Sequence, residues 1–177
     1  YSSISGNRIK DWGHAGIEFF AGPKSDTLYG VRNNLVLDNY ITNLNGSHGR
    51  GIATDGINKG CQDNEFKSNI IRDCRAPVQF NGNNNKFHHN IIYGTKNSFI
   101  YPNSPNGKGI TFSRYRDSLV SYGHRIDNNI IMNNEETDIE FRNFFPNSTH
   151  SNPDIKDIFI RNNIIFTNDD LDPDPVT

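Results

Sequence analysis

Short segments in which apolar and polar residues alternate recur along this chain. Five of them, most opened by Gly or another small residue, cover residues 16–19, 51–54, 77–80, 109–112 and 138–141. Alternation with a period of two places Ile and Phe on one face and Glu, Gln or Thr on the other. The pattern therefore predicts short β-strands that each bury one face.

A second pattern recurs six times and consists of an apolar residue, two variable residues, Asn, one variable residue and Ile. Its Asn residues are Asn7, Asn39, Asn69, Asn90, Asn129 and Asn163, at spacings of 32, 30, 21, 39 and 34 residues. A repeat of this length is the sequence signature of a solenoid, and the unequal spacings predict loops of different length. Each coil is predicted to hold three short strands: the Gly-Ile segment, a strand before the Asn and a strand after it.

The repeated Asn has a physical explanation at the corner between two strands. Asn tolerates the left-handed backbone region better than most residues, so we expect this Asn to turn the chain itself. Its amide both donates and accepts hydrogen bonds, so stacked copies are expected to form an Asn ladder. These six residues are predicted to hold the fold and to take no part in chemistry.

Composition supports an all-β chain. There are 27 Asn and 21 Ile but only 4 Ala and 6 Leu, a balance that disfavours helices. Hydrophobic residues make up 33% of the chain, which is few for a two-layer core but sufficient when each coil buries its neighbours. We predict a β-helix domain over residues 1–168 with about five full coils, then an acidic, Pro-containing tail or linker over 169–177. Because the chain starts inside a repeat, we expect it to be part of a longer β-helix.

Charge, hydropathy and cysteine content exclude several classes of protein. The net charge of −2 creates no global field that favours nucleic acid. Apolar runs fall far short of the roughly 20 residues that a membrane helix needs, so no membrane insertion is expected. Cys61 and Cys74 are too few for a disulfide scaffold, and we expect two unpaired thiols.

The Gly-Ile strand followed by an Asn-x-Ile corner resembles the coil of the right-handed parallel β-helix proteins. This group includes the pectate-lyase-like superfamily, with its carbohydrate-binding and sugar-hydrolase repeats, and the resemblance covers residue 4 to about residue 168. It implies a secreted or cell-surface protein with a polysaccharide as its partner. The group contains lyases, epimerases, glycoside hydrolases, tailspikes and adhesins, and a homotrimer is expected if the chain is tailspike-like.

In the resembling enzymes the substrate groove lies along the outer face of the Gly-Ile sheet. Residue parity predicts polar columns on that face, and the substrate-binding candidates in them are Phe20, Gln79, Asn81, Thr111, Glu140 and Arg142. Extra polar residues flank the second Gly-Ile segment, and the catalytic candidates are His48, Arg50, Asp55 and Lys59, with Glu18 on the preceding coil.

These residue types match the needs of a uronate lyase. Such an enzyme requires a base that takes the proton α to a carboxylate and a cation that stabilises the enolate. Ca²⁺ is an alternative source of that cation, although no metal ligands are predicted. We therefore expect β-elimination at a uronate of an acidic polysaccharide.

Two other functions remain open. A glycoside hydrolase needs two carboxylates about 5–5.5 Å or 6.5–9.5 Å apart, and Glu18 and Asp55 on adjacent coils are the candidate pair. A non-catalytic glycan-binding segment of a tailspike or adhesin needs neither a base nor a carboxylate pair.

Overall fold

A computed structural model describes residues 2–11, 13–21, 30–44, 46, 48–56, 61–95, 107–114, 121–143 and 155–166. All regular elements within these residues are β-strands of two to seven residues. In chain order they are β1 (Ser3–Ser5), β2 (Arg8–Lys10), β3 (Ala15–Ala21), β4 (Val31–Arg32), β5 (Leu35–Leu37), β6 (Tyr40–Thr42), β7 (Arg50–Gly56), β8 (Cys61–Gln62), β9 (Glu65–Lys67), β10 (Ile70–Arg72), β11 (Ala76–Phe80), β12 (Lys86–His88), β13 (Ile91–Tyr93), β14 (Lys108–Arg114), β15 (Ser121–Tyr122), β16 (Arg125–Asp127), β17 (Ile130–Met132), β18 (Thr137–Asn143), β19 (Ile155–Lys156), β20 (Phe159–Arg161) and β21 (Ile164–Phe166).

The strands stack into three long sheets. We call β1-β5-β9-β12-β16-β20 the pre-ladder sheet, β2-β6-β10-β13-β17-β21 the post-ladder sheet and β3-β7-β11-β14-β18 the Gly-Ile sheet. Two further pairs, β4 with β8 and β15 with β19, lie just before the pre-ladder sheet in the chain. Neighbouring strands in the three sheets come from successive coils and pair in parallel. The prediction of an all-β parallel β-helix is confirmed.

One apolar interior runs through the stacked coils. Its fully buried side chains come from all three long sheets and include Val36, Phe66, Phe87 and Ile126, then Ile41, Ile71, Ile92 and Ile131, then Ile52, Val78, Ile110, Phe80 and Phe112. Each coil contributes only a few of these side chains, because the coils on either side cover them. This stacking is how a chain with few hydrophobic residues obtains a continuous core.

The predicted Asn ladder is present. The backbone N–H and the side-chain Nδ2 of Asn39 both donate to Oδ1 of Asn69 at 3.0 Å, and Nδ2 also donates to the carbonyl of Ile4 at 2.9 Å. Equivalent bonds link Asn7 to Asn39, Asn69 to Asn90, Asn90 to Asn129 and Asn129 to Asn163. The ladder therefore satisfies backbone groups at the corner that the sheets leave unpaired.

The expectation that the ladder Asn takes the left-handed conformation is wrong. The residue before it does so, with φ of 54° at Asp38, 55° at Ser68 and 55° at Asn128. The turning residue directs its own side chain outward, and this leaves the next side chain facing the interior. Asn at the ladder position is selected for its amide, because its backbone has an ordinary φ.

A second ladder lies five residues before the first, and sequence reasoning missed it. Nδ2 of Asn34 donates to Oδ1 of Asn64 at 3.0 Å, and Nδ2 of Asn64 donates to Oδ1 of Asn85 at 3.1 Å. In the next coil His124 takes the place of Asn, and its Nδ1 accepts a hydrogen bond from the backbone N–H of Asn85 at 3.3 Å. Burial lowers the pKa of His124 to about 4.

The remaining expectations about the chain have mixed outcomes. Cys61 and Cys74 are both buried and free, which confirms two unpaired thiols, and burial raises the pKa of Cys74 to about 12. A membrane-crossing helix, long and apolar, does not occur among the described residues. The tail at 169–177 lies outside the described residues.

Candidate functional site

The outer face of the Gly-Ile sheet carries a column of register partners. In order of coils they are Glu18, Ala53, Gln79, Thr111 and Glu140. For Glu18, Gln79 and Thr111 the residues on either side, such as Val78 and Phe80 beside Gln79, belong to the apolar core. Alternation along a strand therefore directs this column away from the interior.

The middle of this face is covered, although the sequence suggested an open polar surface. Ala53, Gln79 and Thr111 are each 1% exposed, and Asn81 is also buried. By contrast, Phe20 is 60% exposed and Glu140 is half-buried. Arg142 is the register partner of Ser113 on the neighbouring strand, but its side chain lies outside the described residues. The two ends of this face are thus more accessible from solvent than its middle.

A glycine that packs closely against the interior leaves the preceding cation on this outer face. A Cβ on Gly51 would lie 2.5 Å from both Ile71 Cγ2 and the carbonyl oxygen of Pro77, so this position faces the interior and tolerates no side chain. Gly51 and Ile52 both face inward, and the residue before them, Arg50, is left on the outer face. Lys108 holds the same position before Gly109.

At one end of the sheet, Arg50 forms a cluster with Glu18 and two histidines. Arg50 Nη1 lies 3.0 Å from Glu18 Oε1, and His14 Nε2 lies 3.4 Å from Glu18 Oε2. The rings of His14 and His48 are 4.4 Å apart between centroids. We call these four residues the Arg50 cluster. The structure thus brings together three of the predicted catalytic residues, Glu18, His48 and Arg50.

His48 has the electrostatic surroundings of a base. Burial is the main cause that lowers its pKa, followed by the positive charge of Arg50, with smaller contributions from His14 and Arg75. Only Glu18 acts in the opposite direction. A lowered pKa keeps the imidazole neutral near pH 7, and a neutral imidazole has a lone pair that accepts a proton.

At the other end of the sheet, Lys108 forms the matching ion pair. Its Nζ bonds to Glu140 Oε1 and lies 3.6 Å from Glu136 Oε2. Beside it, the Thr111 hydroxyl and Glu140 Oε2 are buried and have no hydrogen-bond partner in the part of the chain that the structure describes. A buried polar atom without a partner costs about 1–3 kcal/mol, so this end is polar but incompletely satisfied.

Two of the predicted catalytic residues are not joined to the cluster by the described contacts. Asp55 pairs through its backbone with Phe20, and its side chain lies outside the described residues, as does all of Lys59. In the register Asp55 lies two residues beyond Ala53, the partner of Glu18. Within the described residues, no group of three His, Cys, Asp or Glu side chains could hold a metal ion.

Sequence reasoning left His14 undecided and missed Arg75 and Lys108. Arg75 is fully buried, and one of its guanidinium nitrogens donates to the carbonyl of Gly46 at 3.2 Å. A signal for Lys108 was present, because Lys108-Gly-Ile repeats Arg50-Gly-Ile two coils later. No comparable signal marks Arg75, whose role depends on how the corners of adjacent coils approach each other.

Comparisons of the chain with protein-family models, with curated proteins and with solved structures find no match.

Proposed function

We propose that this β-helix is a polysaccharide lyase that acts at a uronate of an acidic polysaccharide, with His48 as the base. One observation carries the proposal: the lowered pKa of His48 in the same cluster as the Arg50 guanidinium. A base held neutral and a fixed cation are the two groups that abstraction of a proton α to a carboxylate requires. A secreted or cell-surface location and a polysaccharide partner belong to the same proposal.

The elimination can be written with these residues in defined roles. His48 takes the proton from the carbon α to the uronate carboxylate, and Arg50 stabilises the negative charge that develops on that carboxylate. The electron pair then forms a carbon–carbon double bond while the bond to the glycosidic oxygen breaks. That oxygen takes up a proton from His14, and exchange with water restores both histidines. Glu18 positions the reacting groups, because it contacts both Arg50 and His14.

A second candidate function has its own supporting observation. Arg50 is only 7% exposed and is paired with Glu18, an arrangement that a purely structural ion pair also shows. This favours the non-catalytic alternative, a glycan-binding segment of a tailspike or adhesin. The hydrolase alternative depends on Glu18 and Asp55, which belong to adjacent strands, with Asp55 two residues beyond the register partner of Glu18.

The test is turnover of defined polymers. The protein is incubated with pectate, alginate and glycosaminoglycans, each with Ca²⁺ and with EDTA, and the ultraviolet absorbance of unsaturated uronate ends is followed. The H48Q variant is expected to lose at least about 100-fold in rate, because general base catalysis contributes 10²–10⁴-fold. H89N is the matched control, since His89 is an exposed corner residue in the pre-ladder to post-ladder turn, at φ 55°.

Each outcome decides between the candidates. Absence of new absorbance on every polymer would exclude the lyase. A rise in reducing ends without that absorbance would identify a hydrolase and direct attention to E18Q and D55N. Binding without any turnover, by a protein that is trimeric in solution, would support the tailspike or adhesin alternative. Equal loss of rate in H48Q and H89N would remove His48 from the mechanism.

A further inference from the structure

A second column of side chains lies on the outer face of the pre-ladder sheet, away from the Arg50 cluster. Its register partners in successive coils are Glu65, Lys86, Arg125 and Phe159. The next residue in three of these coils, at Phe66, Phe87 and Ile126, is fully buried in the core. The column therefore faces outward, and none of its members belongs to the proposed lyase site.

This column lines a cavity. The cavity has a volume of about 540 Å³, and its wall includes all four residues of the column and the corner residues Asp63 and Asn84. A second cavity of about 270 Å³ shares Glu65, Lys86 and Arg125 and continues along the sheet to His88. Ligand sites generally have volumes of about 300–1,000 Å³, so the larger cavity is of the size that a sugar unit needs.

Two cations lie side by side in the larger cavity without carboxylate partners. Lys86 and Arg125 are direct register partners and both are exposed. Neither forms an ion pair within the part of the chain that the structure describes, whereas Glu65 is bonded to His88 at 2.8 Å and Asp127 to Arg161 at 3.1 Å. Like charges at the short spacing of neighbouring strands repel each other. An anion between them would remove that repulsion.

The rest of the column suits a sugar that carries the anion. Phe159, the register partner of Arg125, is 49% exposed and offers an aromatic face beside the cations. On the opposite side of Lys86, the carboxylate of Glu65 and the amide of Asn84 line the same cavity. Carboxylates accept hydrogen bonds from hydroxyl groups, and amides both donate and accept them. Cations, ring face and hydrogen-bonding groups thus follow one another along four successive coils.

We infer that this cavity, which we call the Arg125 cavity, binds an anionic sugar unit of a polysaccharide. The carboxylate or sulfate group of the sugar contacts Lys86 and Arg125, its ring lies against Phe159, and its hydroxyls face Glu65 and Asn84. The site is independent of the proposed elimination, because it lies on a different sheet and shares no residue with the Arg50 cluster. It provides a second point of attachment along the polymer.

Calorimetric titration of the H48Q protein tests the inference without turnover. The probes are hexagalacturonate, a sulfated cellohexaose and unmodified cellohexaose. We expect saturable binding of at least one anionic probe, weaker at higher salt because ions screen exposed charges, and at least tenfold weaker in K86Q/R125Q. F159A is expected to weaken the binding of the same probe. The tighter of the two anionic probes identifies carboxylate or sulfate as the recognised group.

The control variant is K10Q/K156Q, which removes the same number of positive charges from exposed positions outside both cavities. It is expected to bind within twofold of the parent. Equal weakening in K10Q/K156Q and K86Q/R125Q would show that only net charge matters and would overturn the site. Equal binding of cellohexaose, or no saturable binding of any probe, would also overturn it. Because no arm requires catalysis, these failures are distinguishable from a failure of the lyase proposal.

Discussion

The cations on two outer faces of this β-helix differ in burial and in ion pairing. On the Gly-Ile sheet, Arg50 is buried and paired with Glu18, and Lys108 is paired with Glu140. On the pre-ladder sheet, Lys86 and Arg125 are exposed and form no ion pair among the described residues. The same repeat thus builds one face on which Arg50 and Lys108 are fixed by carboxylates and another on which Lys86 and Arg125 remain available.

This difference separates two uses of a cation. A cation held by a carboxylate keeps a defined position, which suits a reaction that needs charge at one point. A pair of cations without carboxylate partners can instead contact the anionic group of a ligand directly. The Gly-Ile face is therefore the better candidate for chemistry, and the pre-ladder face is the better candidate for attachment.

The largest expected effect on stability comes from a substitution in the interior beneath both faces. In N69A, the backbone N–H of Asn39 and the carbonyl of Val36 lose their side-chain partners in a buried corner. We expect a loss of about 4 kcal/mol in the free energy of unfolding, since each orphaned buried group costs about 1–3 kcal/mol. Urea unfolding followed by circular dichroism measures the loss.

The control for N69A is N7A at the exposed end of the same ladder. Asn7 donates to Asn39, but no described residue donates to its Oδ1. Its loss should therefore be below about 1 kcal/mol. Equal losses in N69A and N7A would show that the ladder adds nothing beyond local contacts.

A histidine joins the two faces and should make the fold sensitive to pH. His124 stacks on Phe80 of the Gly-Ile sheet, contacts Phe112 at a tilted angle and immediately precedes Arg125. Burial lowers its pKa to about 4 from the ordinary histidine value of about 6.5. The unfolded chain therefore binds a proton at this histidine below about pH 6.5, whereas the folded chain binds it only below about pH 4. Stability is present above about pH 6.5 and falls by about 3 kcal/mol as the pH drops to about 4.

The H124N variant isolates this contribution. Asn restores the residue type of the second ladder, in which Asn64 accepts from Asn34 as His124 accepts from Asn85. The variant also loses the ring contacts of His124, so the comparison uses the change of unfolding free energy with pH and not its absolute value. Unfolding free energies measured from pH 7 to pH 4 should decline less in H124N than in the parent. Parallel curves would assign the pH dependence to other groups, His48 among them, whose lowered pKa acts with the same sign.

Matched arginine variants test the contrast between the faces directly. R50M leaves Glu18 without its guanidinium partner and should destabilise the protein by about 2 kcal/mol, a value below the range for fully buried pairs because Glu18 is 22% exposed. R125M removes an unpaired exposed cation and should change stability by less than about 0.5 kcal/mol. Thermal unfolding of both variants measures the difference. Similar losses would mean that the cations of the two faces are held alike.

The fold could be predicted from sequence because every coil repeats the same local pattern. The site could be predicted only in part. Glu18, His48 and Arg50 could be placed near one another because adjacent Gly-Ile segments align by their glycines. The Lys86, Arg125 and Phe159 column was missed, although each lies four residues before a ladder Asn, because alternation alone does not show which outer face has a cavity. The conformation of the residue before each ladder Asn was missed for a similar reason, since residue preference identifies a corner but not the position that turns.

The smallest expected effect concerns a single hydroxyl on the Gly-Ile face. The buried Thr111 hydroxyl has no partner among the described residues, so T111V should raise the free energy of unfolding by about 1 kcal/mol. T54V is the matched control, because the Thr54 hydroxyl donates to the Asn81 carbonyl at 2.7 Å and accepts from its N–H at 3.0 Å. T54V should therefore lower stability by about 1–3 kcal/mol. Urea unfolding of both variants decides the point. If T111V were as destabilising as T54V, the Thr111 hydroxyl would have a partner in solution.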